Sequence, residues 1–183
     1  MLLKMATLVA ILASTLASGN QPPDLTPEPF KEDYWTVSYT TENSIHTSVN
    51  GQITHGDRLH VRLIKDHCQN GNLITFAYTT LKNLDIDQLK GELVSVRFGS
   101  QNTKAKIIYA APFIAGYRAT IDLGWLDLET LNNILEASNP IRMQFIDTSE
   151  LQLSSYFDVM QNSWSNNGLR ASLARAIQMC ESL

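Results

Sequence analysis

An alternation of apolar and polar side chains recurs along most of the chain and restricts its fold more than any other feature. It is clearest between Leu59 and Leu63, where every second residue is apolar, and a second alternating run begins at Leu73. Neighbouring side chains of a strand point to opposite faces, so each run predicts a half-buried strand. Asn70-Gly71, a pair that adopts positive φ readily, lies between the two runs. We therefore predict a β-hairpin whose tip spans residues 66–72, with this pair supplying the positive φ and Cys68 at the tip.

Other runs predict further strands, and two helical patterns accompany them. Asp127 precedes residues 128–135, whose leucines and isoleucine fall on one helical face, so we predict a short helix with Asp127 as its N-cap. A second helix over 168–180, capped by Asn166 or Asn167, is expected to close the domain. The other predicted strands cover residues 34–39, 45–54, 93–98, 104–110, 117–123, 141–145 and 151–159, with a polar loop over 161–168.

These elements predict a mainly β fold, α+β at the margin. The expected architecture is a single antiparallel β-sandwich or flattened barrel, with a short mid-chain helix and a C-terminal helix. Residues 20–30 contain four prolines and predict an extended leader rather than part of a packed core. The folded domain is therefore expected to span residues 31–183.

The first residues of the chain have the pattern of an export signal. A single positive charge, Lys4, precedes the uninterrupted apolar or small residues 5–16, a run too short to cross a bilayer. Small residues follow, so we predict a signal peptide over 1–19 that is cut after about Ala17 or Gly19. The alternative is an uncleaved N-terminal anchor. No other stretch is long and apolar enough to span a membrane, so we expect a soluble periplasmic or secreted protein.

The chain contains two cysteines, Cys68 in the predicted hairpin and Cys180 near the C-terminus. Cysteines of an exported protein usually pair, and this pair would tie the end of the chain to the hairpin. The alternative is two separate buried thiols. A bond between them would close a loop that stabilises the fold by roughly 4 to 5 kcal/mol in chain-entropy models.

The balance of charge is mildly acidic, with 14 basic and 18 acidic residues and a net charge of −4. Lysines and arginines are scattered singly, and no run of them would follow a phosphate backbone. Nucleic acids and anionic membranes are therefore not expected as partners.

Candidate catalytic and metal-binding residues form no recognised pattern. The chain has no nucleophile elbow, zinc-protease helix, phosphate loop or dinucleotide fingerprint. A hydrolase or glycan-binding protein that uses His60, Asp122 and Asp127 is the alternative from another functional class. His55, His60 and His67 could supply a metal site, but their spacing matches no known ligand set. We therefore predict no catalytic residue, metal or cofactor.

Aromatic residues give the best candidates for a contact surface. Trp35 lies within a predicted strand and is expected in the core, whereas Trp125 precedes a helix cap and Trp164 lies in the polar loop. Exposed tryptophans often anchor protein interfaces or bind sugars. Trp125, Trp164 and the neighbouring Tyr117 are therefore the candidate interface, and the alternative is that they cover the core where a helix docks.

The order of elements resembles the invasion-associated locus B family of small exported bacterial proteins. The residues that carry the resemblance are the early strand 34–37, the strand 116–123, the helix 128–135, the strand 141–145 and the closing helix 168–180. That family often has a cysteine soon after the first tryptophan, and Val37-Ser38-Tyr39 has none. The resemblance implies a periplasmic or surface-associated role in envelope or host interaction. We expect an exported, non-catalytic domain that binds another envelope or host protein.

Overall fold

The computed structural model describes residues 33–80 and 85–183, apart from the side chain of Thr40. Two α-helices and nine strands make up most of this part, which confirms the predicted mainly β fold with a mid-chain and a C-terminal helix. The strands are Thr36–Thr41 (β1), Ser44–Val49 (β2), Leu59–Ile64 (β3), Asn70–Thr79 (β4), Leu93–Phe98 (β5), Gln101–Phe113 (β6), Gly116–Asp127 (β7), Ile141–Phe145 (β8) and Gln161–Trp164 (β9). The helices are Leu128–Glu136 (α1) and Leu169–Glu181 (α2), with short 3-10 turns at Ile86–Leu89 and Leu153–Ser155.

All nine strands belong to one antiparallel sheet in the order β1-β2-β3-β4-β7-β6-β5-β8-β9. The sheet curls, and its last strand returns to the segment that follows β2. There Gly51 pairs with Trp164 in an isolated bridge, and the Gln52 amide donates to the Ser163 carbonyl at 2.8 Å. The result is a single rolled sheet that resembles an incompletely closed barrel.

The core lies on the concave, inner face of the sheet. Alternate residues of each strand enter it, as in β3, where Leu59, Val61 and Leu63 are fully buried. Helix α2 packs against β1, β2 and β3, and α1 packs against β4 and β7. A disulfide joins Cys68 to Cys180, 112 residues apart, which confirms the predicted pairing. The C-terminal helix is therefore attached to the β3–β4 hairpin by a covalent bond as well as by packing.

The hairpin turn overlaps the predicted tip, but Asn70-Gly71 does not supply the positive φ. Asn70 begins β4, and the residue with positive φ is Asp66, at +66°. Gly71 serves a different purpose, because a Cβ atom there would lie 2.8 Å from Cγ1 of Val61 and 3.1 Å from Cδ1 of Leu131. The absence of a side chain lets α1 approach the sheet closely.

Three other local predictions are corrected. Residues 151–159 do not form a strand, because a 3-10 turn at Leu153–Ser155 places Leu153 and Phe157 in the core. The first half of the predicted loop 161–168 is strand β9. The N-cap of α2 is Gly168, with φ of +74°, rather than Asn166 or Asn167. Asp127 caps α1 as predicted, since its carboxylate accepts from the Thr130 amide at 2.9 Å.

The predicted signal peptide, 1–19, the Pro-rich leader, 20–30, and the first two residues of the predicted domain lie outside the described residues. Within residues 33–80 and 85–183, no helix has the length and apolar character needed to cross a bilayer.

Candidate binding surface on the outer face of the sheet

Strand pairing aligns side chains from β3, β4 and β7 in rows across the outer face, which is the face opposite the core. Arg62 of β3 lies opposite Asn72 of β4, which lies opposite Trp125 of β7. Because the inward positions of these strands are filled by core residues, the residues between them must point outward. Residues far apart in the sequence are thereby brought onto one surface.

A bulge in β7 turns Trp125 toward this surface. The register between β4 and β7 shifts by one residue, and Gly124 takes a φ of +105°. The Asp122 carboxylate accepts from the Gly124 amide at 2.8 Å and from the Asn72 side-chain amide at 2.7 Å. These bonds stabilise the bulge, which re-aims the side chains beyond it. Trp125 is 46% exposed as a result.

An arginine and two phenylalanines pack together at one end of these rows, near the β6–β7 turn. The Arg118 guanidinium carbon lies 4.1 Å from the ring centroid of Phe113 and 4.6 Å from that of Phe76. The Tyr78 ring meets Phe113 edge to face at 6.3 Å. Attraction between the cation and the ring faces holds Arg118 in place and leaves part of its charge exposed to a partner.

Trp125 forms a similar contact at the other end of the rows. The guanidinium carbon of Arg62 lies 5.7 Å from its ring centroid. Trp125 also lines a shallow, mainly apolar cavity of about 340 Å³ with Ile64, His67 and Asn70. This cavity is suited to an apolar side chain. We define the aromatic–arginine patch as Arg62, Phe76, Phe113, Arg118 and Trp125.

Two histidines lie beside this patch. Their rings, His46 and His60, are 5.8 Å apart, and His60 also meets Phe76 edge to face at 5.1 Å. Both ring nitrogens of His60 are buried and have no hydrogen-bond partner among the described residues. Burial lowers the pKa of His60 to about 3, and burial together with the charge of Arg62 lowers the pKa of His46 to about 4. Both imidazoles are therefore neutral at pH 7.

The outer face is basic although the chain is acidic. The nine strands contain two acidic residues, Asp122 and Asp127, both in β7. None of the strand lysines and arginines is buried, and each alternates with core residues. These basic residues are Arg62, Arg97, Lys104, Lys106, Arg118 and Arg142. The remaining described acids lie in loops, turns and helices, so charge is separated between the sheet surface and the connections.

The three candidate interface residues have different environments. Trp125 is exposed, and Tyr117 is half-buried and packs against the core. Trp164 ends β9 rather than lying in a loop, is completely buried, and donates from its indole nitrogen to the Asp57 carbonyl at 2.8 Å. Trp164 is therefore not accessible to a partner in this structure. Trp35 is in the core, as expected.

The proposed acid–base residues have separate structural roles. Asp122 stabilises the bulge, and Asp127 caps α1. Ile74 is paired with His60 on one side and with Asp122 on the other, so its side chain stands between them. In residues 33–80 and 85–183, no three histidine, cysteine or carboxylate side chains are grouped as metal ligands. His55 instead lies within hydrogen-bond distance of the Asn50 side chain, at 2.8 Å.

Sequence reasoning missed most of the patch. No local sequence pattern distinguishes these residues, because each lies in an ordinary strand pattern. They are Arg62, Phe76, Phe113 and Arg118. The signal that would have found them is their outward position in neighbouring strands, combined with the β4–β7 and β6–β7 pairing.

Comparison of this chain with protein-family models, curated proteins and solved structures finds no match. The resemblance to the invasion-associated locus B family therefore stays a prediction.

Proposed function

We propose that the protein is an exported, non-catalytic domain that binds another envelope or host protein through the outer face of its sheet. The observation that carries the proposal is the aromatic–arginine patch, in which Arg118 packs on two phenylalanines at one end and Arg62 packs on the exposed Trp125 at the other. Arginine and aromatic residues are enriched at protein interfaces and supply most of their hot spots.

Exposed apolar residues support the same face. Among the described residues, nine large hydrophobic side chains are exposed, and five of them lie on β6, β7 or the turn between them. Exposed apolar residues concentrated on neighbouring elements mark interaction sites more often than single exposed residues do. The five residues are Ile108, Tyr109, Phe113, Ile114 and Trp125.

Ile114 is the least expected of these residues. It lies in the β6–β7 turn, is 90% exposed, and has a φ of +52°, a conformation that a β-branched side chain adopts only with strain. Glycine or asparagine would fit this turn better. Neither packing nor turn geometry accounts for isoleucine here, whereas contact with a partner does.

The location outside the cytoplasm is supported by two features. The N-terminal residues have the pattern of a signal peptide, and Cys68 is bonded to Cys180. Disulfides persist in oxidising compartments and are rare in reducing ones.

Site-specific photocrosslinking tests this proposal. A photoreactive phenylalanine analogue is placed at Tyr109 or Ile114, and the control position is Gln178, an exposed residue of α2. We expect both positions on β6 and its turn to capture the same polypeptide in the exported fraction and Gln178 to capture none. The captured polypeptide, once purified, should bind the Trp125→Ala variant at least about tenfold more weakly than the wild type. Equal capture from Gln178, or an unchanged affinity of the Trp125→Ala variant, would contradict the proposal.

A further inference from the structure

A second concave site lies on the outer face of β5, β8 and β9, away from the aromatic–arginine patch. Register places Arg97 of β5 opposite Gln144 of β8, and Gln144 opposite Gln161 of β9. Arg142 of β8 lies opposite Ser163 of β9. These side chains point outward because the residues between them are buried, and they line a groove of about 450 Å³. Guanidinium, amide and hydroxyl groups thus converge on one site.

The groove has positive charge that nothing within it balances. Its lining contains Arg97 and Arg142 and no acidic residue. Arg97 donates to the Asn102 side chain at 3.2 Å, which is a neutral partner. Arg142 makes no ion pair with any residue in the described part of the chain. Two neighbouring cations without a counter-charge repel each other, and a bound anion would relieve that repulsion.

The spacing of the two arginines fits a particular kind of anion. They are diagonal neighbours on antiparallel strands, a relation that separates Cβ atoms by roughly 7 to 8 Å. Alternate residues of an extended peptide are about 6.8 Å apart, which is close to this distance. Each guanidinium can bind a carboxylate by donating two parallel hydrogen bonds to its oxygens. Two carboxylates on alternate residues of an extended segment would therefore reach both arginines together.

The other residues of the groove favour a peptide over a sugar. Gln144 and Gln161 offer amide donors and acceptors that can pair with a peptide backbone. No aromatic ring lines the groove, and sugar sites commonly use a ring as a stacking platform. We infer that this groove binds an extended acidic segment of the partner protein, with carboxylates at alternate positions. This inference rests on the proposed function.

Fluorescence anisotropy with a synthetic peptide tests the inference. The probe is a labelled Thr-Glu-Thr-Glu-Thr-Glu-Thr peptide, mixed with the purified protein at low ionic strength and then at increasing salt. We expect saturable binding that weakens with salt, and binding at least roughly tenfold weaker when glutamine replaces every glutamate of the peptide. Arg97→Gln and Arg142→Gln should each weaken binding by roughly five- to twentyfold.

Lys90→Gln is the matched control, because it removes the same charge from an exposed turn that does not line the groove. It should change the affinity less than about twofold. Both arginines are exposed, so the variants should unfold at the wild-type urea concentration.

Three results would overturn the inference: equal binding of the glutamine peptide, an equal loss in Lys90→Gln, or no effect of either arginine substitution. Binding of polygalacturonate but not of the peptide would also overturn it and would identify an acidic sugar as the ligand. None of these results bears on crosslinking from Tyr109 and Ile114, so failure of the groove and failure of the proposed function are distinguishable.

Discussion

Replacing His60 with phenylalanine should change how the stability of the protein depends on pH. The native imidazole lies between His46 and Phe76 with both ring nitrogens buried, and this burial lowers its pKa to about 3. In the unfolded chain its pKa returns to about 6.5. Between these values the unfolded state binds a proton that the native state does not, so stability falls as the pH falls. Phenylalanine keeps the ring and removes this titration.

The size of the effect follows from the proton balance. One group contributes about 1.4 kcal/mol per pH unit, or about 2 kcal/mol between pH 6 and pH 4.5. His46 also makes the protein less stable as the pH falls, but by less than His60, because His46 is closer to solvent. Burial raises the pKa of Asp57 to about 6. Protonation of Asp57 therefore increases the free energy of unfolding as the pH falls through this range, which opposes the effect of the histidines. The wild type should therefore lose stability on acidification, and His60→Phe should show a nearly flat profile.

Urea unfolding followed by tryptophan fluorescence at several pH values between 4.5 and 7 measures this profile. The control is His67→Gln, which changes an exposed histidine of the β3–β4 turn and should keep the wild-type slope. A His60→Phe profile as steep as that of the wild type would refute the claim that a buried, neutral His60 causes the acid sensitivity. A flat profile for His67→Gln would refute it equally.

Three further predictions concern the core and the disulfide. Trp164→Ala should lower the free energy of unfolding by about 3 to 5 kcal/mol, because the Trp164 side chain is buried. Trp125→Ala should lower it by less than about 1 kcal/mol, because Trp125 is exposed. Equal losses of the two variants in urea melts would contradict these different environments. Replacing Cys68 and Cys180 with serine together should cost about 4 kcal/mol, since the bond closes a loop between residues 112 apart; a loss below about 1 kcal/mol in calorimetry or urea would contradict this. Asp57→Asn should raise stability at pH 7 by about 1 to 3 kcal/mol, because the asparagine oxygen can still accept from the Tyr78 amide and no longer carries the buried charge. At pH 4 the gain should disappear, and a gain of the same size at both pH values would argue against a raised pKa.

Those elements that local sequence determines could be predicted. Strands β5 and β8 have the predicted bounds, because their apolar residues alternate without interruption. Asp127 caps α1 because the bond it makes spans three residues. The pairing of Cys68 with Cys180 followed from there being two cysteines and an expected export signal rather than from any pattern near either residue.

Elements that depend on distant contacts could not be predicted. Strand β9 contains Asn162, whose side-chain oxygen accepts from the Ile53 and Thr54 amides at 3.1 and 3.3 Å, more than a hundred residues away. Polar side chains of β9 form hydrogen bonds with distant residues. The local sequence is therefore polar, as in a loop, and does not predict a strand. Gly71 looked like a turn residue because its actual constraint, the nearness of Leu131, appears only when α1 is in place.

Most of the candidate site, apart from Trp125, could not be predicted for the same reason. The basic residues are scattered singly in the sequence, which argued against nucleic acids and anionic membranes as partners. Pairing of the strands gathers them on one face, with Arg118 against phenylalanines from β4 and β6. Alternation predicts which residues face outward, whereas the order of the strands decides which of them become neighbours.

Native mass spectrometry of the protein, purified gently from the exported fraction, tests whether the outer face of the sheet binds another protein. The wild type is compared with an Arg118→Ala, Trp125→Ala double variant, since both side chains belong to the aromatic–arginine patch. We expect the wild type to carry a second polypeptide and the double variant, still folded, to be recovered without it. A wild type that is a bare monomer, or a double variant that retains the same polypeptide, would contradict binding through the outer face of the sheet.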